Sequence, residues 1–176
     1  SDTHSFPTRR SSDLPSRPFI VDQVATAGSA TGVSVSDNLA YISVVNELMG
    51  NVGSIQVIDI TTPEFAADAQ IDLVAAAAGD LVVSGDRIYL LTIAEMTSAL
   101  TILDRETGAV VGSFNLGTWA SYEELVEQRL EVVGGLAFVT CGPRLKVIDL
   151  ADEEDLSTVF FSEFDLSAAM AGIENY

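Results

Sequence analysis

The stretch LVVSGDRIYLLTI, residues 81–93, followed by ALTILDR, residues 99–105, decides the fold of this chain. It begins with a hydrophobic run, passes through Gly85-Asp86, and continues as a second apolar run that contains Tyr89. Gly and Asp tolerate the positive φ of a two-residue hairpin turn. Apolar residues on both faces of the runs favour strands that lie between neighbouring sheets. The stretch therefore predicts a β-hairpin followed by a third strand.

Two further segments repeat this pattern, one on each side of it. The first contains VSVSDNLAYISVV (33–45) and SIQVIDI (54–60), and the last contains LEVVGGLAFVTCG (130–142) and RLKVIDL (144–150). Each third run ends in Ile-Asp or Leu-Asp, and the terminal aspartates Asp59, Asp104 and Asp149 are 45 residues apart. The aromatic residues Tyr41, Tyr89 and Phe138 are 48 and then 49 residues apart. A fixed period of this length predicts a tandem array of one supersecondary unit.

A fourth strand is predicted to complete each unit, at Ala69–Val74, Val110–Leu116 and Thr158–Leu166. Four strands in about 45 residues are typical of one blade of a β-propeller. We therefore predict an all-β partial β-propeller within residues 31–176. Its three four-stranded antiparallel blades are expected at about 31–78, 79–118 and 129–168.

The N-terminal segments and the number of blades indicate how much of a propeller ring the chain forms. FIVDQVATA (19–27) resembles a fourth strand, so residues 15–30 are predicted to finish a truncated preceding blade. Closed rings have about four to eight blades, so three blades predict an open arc whose partners are missing blades of the same chain. Residues 5–14, SFPTRRSSDL, match an in-frame translation of a short-read sequencing adapter. We therefore expect residues 1–14 to be a non-native, disordered leader.

Composition narrows the classes of function. The chain has 26 acidic and 8 basic residues and a formal charge of −18, which disfavours nucleic acid and anionic membrane surfaces. The charge fits cations, basic partners or simple solubility. Cys141 is the single cysteine and His4 the single histidine, so an internal disulfide and Ser–His or Cys–His catalysis are excluded for this chain. A membrane-spanning helix needs about 20 consecutive apolar residues, and no apolar run in this sequence approaches that length.

The segments LAYISVV (39–45) and SIQVIDITTPE (54–64) resemble the LVIVD-type propeller repeat. TILDRETGAVVGSFNL (101–116) is similar to blades of YVTN-type and quinoprotein-like propellers, in which Asp-x-x-Thr-Gly joins the third and fourth strands. The resemblance covers residues 33–166. It implies a secreted, periplasmic or cell-surface protein with ligand and partner sites in loops at one face.

Residues 119–128 interrupt the β pattern between the second and third predicted blades. Ser121 followed by Glu124 fits a helix capping box, which predicts a short helical insertion. This connection belongs to the inner edge of a propeller, where ligands often bind, and the alternative is a plug that packs over the blade junction. The candidate ligand-face residues are Trp119, Tyr122, Glu123 and Glu124 in the insertion, and Glu47 and Asn51 in the longest variable loop.

Three other polar features are interpreted structurally. Asp59, Asp104 and Asp149 could ring a cation, but an Asp that begins a turn accepts N–H bonds from residues two or three ahead, and we favour that role. The acidic run 152–155 lacks the alternating spacing of a Ca²⁺ loop, so Ca²⁺ is only weakly supported and no other cofactor is evident. Cys141 has no basic neighbour closer than Arg144 and is expected to be a small buried residue.

Two functions remain open at this level. The first is a non-catalytic propeller repeat module that binds a protein or ligand on a secreted or cell-surface protein. The alternative is a fragment of a propeller-type enzyme, such as a quinoprotein-like dehydrogenase or a metal-dependent lactonase. The enzyme would need ligands that converge on the central channel, and none is evident in these three blades.

Overall fold

The computed structural model describes residues 20, 22–46, 48, 50, 52–61, 66–73, 76–118, 128–141, 144–151 and 161–165. Within them the chain forms three four-stranded antiparallel sheets, each built from four consecutive strands. We call these sheets blades 1, 2 and 3 in chain order. The predicted all-β class and the four-stranded repeat are confirmed.

Each blade is a meander in which the strands pair in chain order. Blade 1 contains β1 (Ser29–Ser36), β2 (Leu39–Asn46), β3 (Val52–Asp59) and β4 (Ala66–Asp72). Blade 2 contains β5 (Ala77–Ser84), β6 (Arg87–Ala94), β7 (Thr97–Asp104) and β8 (Val110–Thr118). Blade 3 contains β9 (Arg129–Val133), β10 (Leu136–Cys141), β11 (Arg144–Asp149) and β12 (Phe161–Asp165).

A two-residue turn joins the first and second strands of every blade, as the turn residues predict. Asp37 and Asn38 have φ of 50° and 71°, and Gly134 and Gly135 have φ of 61° and 80°, the sign that type I′ turns require. The residue after each third strand then donates its N–H to the carbonyl of the second turn residue. These bonds are 2.9 to 3.0 Å long and run from Ile60 to Asn38, from Arg105 to Asp86 and from Leu150 to Gly135.

The core lies between the sheets. We call the face of a blade toward the preceding blade its leading face, and the opposite one its trailing face. Tyr41, Ile55 and Val57 on the trailing face of blade 1 pack against Leu81, Ile88, Leu90 and Leu103 of blade 2. Tyr89, Leu91, Leu100 and Ile102 of blade 2 pack against Leu130, Ala137, Val139 and Ile148 of blade 3. A fully buried side chain of this kind contributes about 1.5–3 kcal/mol, so the contacts between blades are a major source of stability.

One buried position on the leading face is polar in every blade. Gln56, Thr101 and Lys146 each lie three residues before the terminal aspartate, and each is less than one-tenth exposed. Lys146 Nζ donates to the carbonyl of Leu116 in blade 2 at 2.5 Å. Gln56 Oε1 accepts a bond from the N–H of Ala27 at 3.2 Å. Gln56 and Lys146 thus link a blade to the chain that precedes it, whereas the Thr101 hydroxyl bonds to the Thr92 hydroxyl of its own blade at 2.8 Å. These bonds compensate for the burial of polar groups.

Blades 1 and 2 approach each other closely at Gly53. Its N–H donates to the carbonyl of Ala76 at 2.7 Å, and its own carbonyl accepts from the N–H of Leu73 at 3.0 Å. A Cβ at this position would lie 2.5 Å from the backbone nitrogen of Ala78. Only glycine therefore fits here without a shift of the neighbouring backbone.

The segment before β1 differs from the prediction. Residues 22–28 form no strand, so the strand expected over 19–27 is absent from the described part of that segment. A strand requires a paired neighbour, and this segment is instead joined to the leading face of blade 1 by the bond from the N–H of Ala27 to Gln56 Oε1. Within 119–128 only Gln128 is described, and it is not helical. The predicted leader, 1–14, lies outside the described residues.

Candidate functional site

The two ends of the sheets differ in their connections. At the hairpin end, the turn between the first and second strands has two residues in every blade. At the loop end, the connections vary in length. Those after the second strands span 47–51, 95–96 and 142–143, and those after the fourth strands span 73–76 and 119–128. Variable connections on a repeated scaffold are typical of a binding face.

All six candidate ligand-face residues belong to loop-end connections. They lie outside the described residues, so their role stays a prediction: Glu47, Asn51, Trp119, Tyr122, Glu123 and Glu124. The strand ends that flank them are described, and Asn46, Val52, Thr118 and Arg129 all lie at the loop end. The acidic run 152–155, with its weakly supported Ca²⁺, also falls outside the described part, as does the side chain of Cys141.

Gln128 is the described residue of the insertion, and it is buried at the junction of blades 2 and 3. Its Nε2 donates to Ser98 Oγ of blade 2 at 3.1 Å. Its backbone carbonyl accepts from Nη1 of Arg129 at 2.8 Å. Its Oε1 is buried and has no hydrogen-bond partner in the described structure. The end of the insertion is therefore anchored on the scaffold at the loop end.

The hairpin end contains a cleft of about 520 Å³ between blades 1 and 2. Its walls carry both signs of charge and are formed by Leu39, Tyr41, Asp86, Arg87, Asp104, Arg105 and Glu106. Arg87 Nη1 lies 3.3 Å from Asp104 Oδ2, so an ion pair crosses the blade 2 side of the cleft. Some of the charged groups of this cleft are thus paired with each other.

Arg105 joins blade 2 to blade 1 across this cleft. It directly follows β7, but its Nε donates to the hydroxyl of Tyr41 at 2.7 Å. Its Nη1 donates to Asp37 Oδ2 at 2.7 Å and to the carbonyl of Gly85 at 3.3 Å. The guanidinium carbon lies 5.3 Å from the centre of the Tyr41 ring, within the range of a cation–π contact. The bond to Tyr41 raises the pKa of Arg105, and the bond from Arg105 lowers the pKa of Asp37.

The aspartate series has the turn-forming role favoured from the sequence, and this interpretation is confirmed. Asp59 Oδ1 accepts from the N–H of Thr61 at 2.8 Å, and Asp104 Oδ1 accepts from the N–H of Thr107 at 2.9 Å. The carboxylate of Asp149 accepts from the N–H two residues ahead at 3.0 Å. Hydroxyl bonds from Thr61 and Thr107 lower the pKa of Asp59 and of Asp104. These carboxylates therefore stabilise three separate turns.

The contacts of Arg105 are the feature of the site that sequence reasoning missed. Arg105 and Asp37 are 68 residues apart, and each belongs to a segment already explained as a turn. In the sequence, Tyr41 stands out only as one of the three periodic aromatic residues. The available signal was that Arg105 is the single basic residue that directly follows a terminal aspartate.

Residues 27–63 match the model of the LVIVD repeat. The first blade is thus similar to an LVIVD repeat. The matched residues run from just before β1 to just beyond β3, so the predicted resemblance is confirmed for this blade. The likeness of 101–116 to YVTN-type and quinoprotein-like blades stays a prediction. No curated protein matches the sequence.

Two solved structures have a similar arrangement of blades. "KlHsv2 with loop 6CD replaced by a Gly-Ser linker" matches 79% of this chain and 40% of its own, with a TM-score of 0.52 and 9% identity. "Europium-containing methanol dehydrogenase" matches 79% of this chain and 26% of its own, with a TM-score of 0.50 and 14% identity. The chain thus spans less than half the length of either structure. At these identities, the likeness shows the β-propeller fold alone.

No helix among the described residues is long and apolar enough to cross a membrane. No group of three or more His, Cys, Asp or Glu residues in that part of the chain has the proximity of a metal site.

Proposed function

We propose that this chain is a non-catalytic β-propeller repeat module that binds a protein or ligand through its loop end. One observation carries the proposal. At the hairpin end, the two-residue turn and the backbone bond that closes it recur in all three blades, whereas every connection at the loop end belongs to a set that differs in length from blade to blade. Variable connections on a repeated scaffold are the arrangement that binding proteins use.

The polar groups at the hairpin end support this assignment of roles. The carboxylate of Asp104 caps a turn and pairs with Arg87, and the guanidinium of Arg105 joins two blades. Each of these groups contributes to the fold itself. The loop end carries the candidate residues Trp119 and Tyr122, whose large amphipathic rings suit a contact surface.

Placement outside the cell is part of the proposal and rests on the LVIVD resemblance. The formal charge of −18 supports a cationic or basic ligand over an anionic one. An antibody raised against the chain should label intact cells of the source organism. Labelling only after permeabilisation would contradict this part of the proposal.

A binding screen tests the main proposal. We would measure thermal shifts with divalent cations, neutral sugars and a lysine-rich peptide, and determine Kd for any hit by calorimetry. Trp119→Ala combined with Tyr122→Ala should weaken that binding by at least about 10-fold. The matched hairpin-end pair Asp86→Asn with Glu106→Gln should change Kd by less than about 2-fold. Loss of binding in the hairpin-end pair alone would contradict the proposal.

The enzyme alternative has its own assay. The similarity to a europium-containing methanol dehydrogenase suggests incubating the chain with europium, a quinone cofactor, methanol and an artificial electron acceptor. We expect no reduction of the acceptor above the protein-free control. Sustained reduction that depends on the protein would contradict a non-catalytic role.

A further inference from the structure

The two junctions between blades differ at the loop end. At the junction of blades 1 and 2, a Cβ on Gly53 would lie 2.5 Å from the backbone nitrogen of Ala78, so the two backbones meet there. Ser98 has the same repeat position in blade 2, since Gly53 and Ser98 each lie six residues before the terminal aspartate of their strand. The side chain of Ser98 prevents so close an approach. The junction of blades 2 and 3 is instead lined by polar side chains at this point.

Three buried polar side chains belong to the junction of blades 2 and 3. Ser98 is 0% exposed, Gln128 is 3% exposed and Lys146 is 8% exposed. Gln128 Nε2 donates to Ser98 Oγ at 3.1 Å, and Ser98 pairs with Gly117 across β7 and β8. Outside its chain neighbours, a Cβ on Gly117 would have Lys146 Nζ as the nearest atom of the described residues, at 4.0 Å. The junction therefore has space beside Gly117, and the Lys146 ammonium borders that space.

One acceptor at this junction has no partner in the described part of the chain. Gln128 Oε1 is buried and accepts no hydrogen bond there. Gln56 is the internal comparison, because it is also a buried glutamine and its Oε1 accepts from the N–H of Ala27 at 3.2 Å. A buried acceptor without a bond destabilises a fold, so its retention requires an explanation. Because Ser98 holds Nε2, the oxygen of the same carboxamide points away from Ser98 and can accept from a donor that a ligand brings.

We propose that Gln128 Oε1 accepts a hydrogen bond from a hydroxyl of a neutral sugar or polyol that binds at the junction of blades 2 and 3. The proposal rests on the loop-end binding of the proposed function and names the class of its ligand. A hydroxyl supplies the donor that this oxygen lacks, whereas an ionised carboxylate offers only acceptors. The formal charge of −18 also disfavours an anion. The Lys146 ammonium already places a positive charge at this junction, which disfavours a cationic group beside it. A neutral compound with several hydroxyls meets all of these conditions.

The strand ends beside Gln128 indicate the direction from which the ligand approaches. Thr118 ends β8 and Arg129 begins β9, and both residues are exposed at the loop end. Gln128 directly precedes Arg129, whose Nη1 donates to the Gln128 carbonyl at 2.8 Å. Because Oε1 is buried, the new bond requires local rotation of side chains at this opening, a change that commonly accompanies binding. We therefore expect the hydroxyl to reach Oε1 from the loop end, between these two strand ends.

Calorimetric titration of the full chain with glycerol, glucose, galactose and mannose is the first test. At least one of these probes should bind, and Gln128→Met should raise its Kd by at least about 10-fold. Gln128→Glu keeps acceptor oxygens at this position and should retain binding within about 3-fold. Gln56→Met is the matched control, because it removes a buried glutamine whose Oε1 is already bonded, and it should change Kd by less than about 2-fold. Circular dichroism would verify that each variant is folded.

Deoxy analogues of the bound probe test the same bond from the side of the ligand. The analogue that lacks the contacted hydroxyl should bind the wild type at least about 10-fold more weakly than the parent compound. Gln128→Met should bind this analogue and the parent compound with the same Kd, because the variant has no acceptor for that hydroxyl.

Two results would overturn the proposal. The first is that none of the probes binds, and the second is that Gln128→Met and Gln56→Met change Kd equally. A buried water would then be the simplest partner of Gln128 Oε1. Loop-end binding itself would still stand if Trp119→Ala combined with Tyr122→Ala weakened the binding of a divalent cation or of the lysine-rich peptide, so the two failures can be told apart.

Discussion

Replacing Arg105 by Met would remove the guanidinium that joins blades 1 and 2 and keep much of the apolar stem. The guanidinium donates to the Tyr41 hydroxyl at 2.7 Å and lies 5.3 Å from the centre of its ring. A hydrogen bond to a charged group contributes about 1.5–3 kcal/mol, and a cation–π contact contributes about 1 kcal/mol. The ion pair with Asp37 adds little, because that carboxylate is 76% exposed. We expect Arg105→Met to lower the free energy of unfolding by about 2–3 kcal/mol.

A double-mutant cycle separates these contributions. Guanidinium chloride unfolding, followed by circular dichroism at one protein concentration, would be measured for Arg105→Met, Tyr41→Phe and the pair. Tyr41→Phe keeps the ring and removes the hydroxyl, so the coupling energy should report the hydrogen bond, at about 1 kcal/mol or more. Asp37→Asn is the control for the exposed ion pair and should have a much smaller effect.

Two results would refute this reasoning. A change below about 0.5 kcal/mol for Arg105→Met would mean that the contacts are no stronger than ordinary surface pairs. An effect of Asp37→Asn as large as that of Arg105→Met would mean that charge attraction, and not the contact with Tyr41, joins the blades. Either outcome would leave the apolar contacts as the main link between blades 1 and 2.

Three further predictions concern packing and pH. Gly53→Ala places a Cβ against the backbone of blade 2 and should lower the free energy of unfolding by about 2–3 kcal/mol, and a neutral result would contradict the close approach. At low protein concentration, Leu81→Ala should lower the free energy of unfolding by about 3 kcal/mol, because Leu81 is buried. Val33→Ala, at the same repeat position but exposed, should lower it by less than about 0.5 kcal/mol, and equal effects would contradict the repeat register. Thr107→Val should raise the pKa of Asp104 toward its ordinary value, as NMR titration would show. In the wild type, the stabilisation from this lowered pKa is present above the ordinary Asp pKa and is lost below about pH 4, so an identical acid-unfolding profile for the variant would contradict its role.

The hairpins and the register of the blades could be predicted because their signals are local. Asp37-Asn38 and Gly134-Gly135 favour the positive φ that the turns adopt, whatever lies beyond the hairpin. The terminal aspartates are also local, since each bonds only two or three residues ahead. Such features depend on neighbouring residues alone, and the structure reproduces them in all three blades.

The contacts between blades could not be predicted in the same way. Tyr41 was recognisable as a buried aromatic residue, but its hydroxyl bonds to Arg105, 64 residues further along the chain. The segment 19–27 has the alternating pattern of a strand, yet its described residues form no strand and contact blade 1 through Gln56. Periodicity cannot distinguish these outcomes, because in both of them every second residue faces the protein. The placement of such a segment is decided by which neighbour is present to pair with it.

The difference between the two ends of the sheets explains where variation is tolerated. At the hairpin end, Asp104 and Arg105 carry charge, but both also form the turn and the junction between blades. A substitution of either residue lowers the stability of the fold, so these two positions are constrained by the fold. At the loop end, Gln128 anchors the insertion at its final residue, and the variable connection precedes that anchor. Changes within the connection can therefore alter binding at little cost to the blades. Selection for a new ligand should therefore act first on the connections at the loop end. For this reason, a loop-end pair of substitutions and a hairpin-end pair should differ in their effect on the Kd of a ligand.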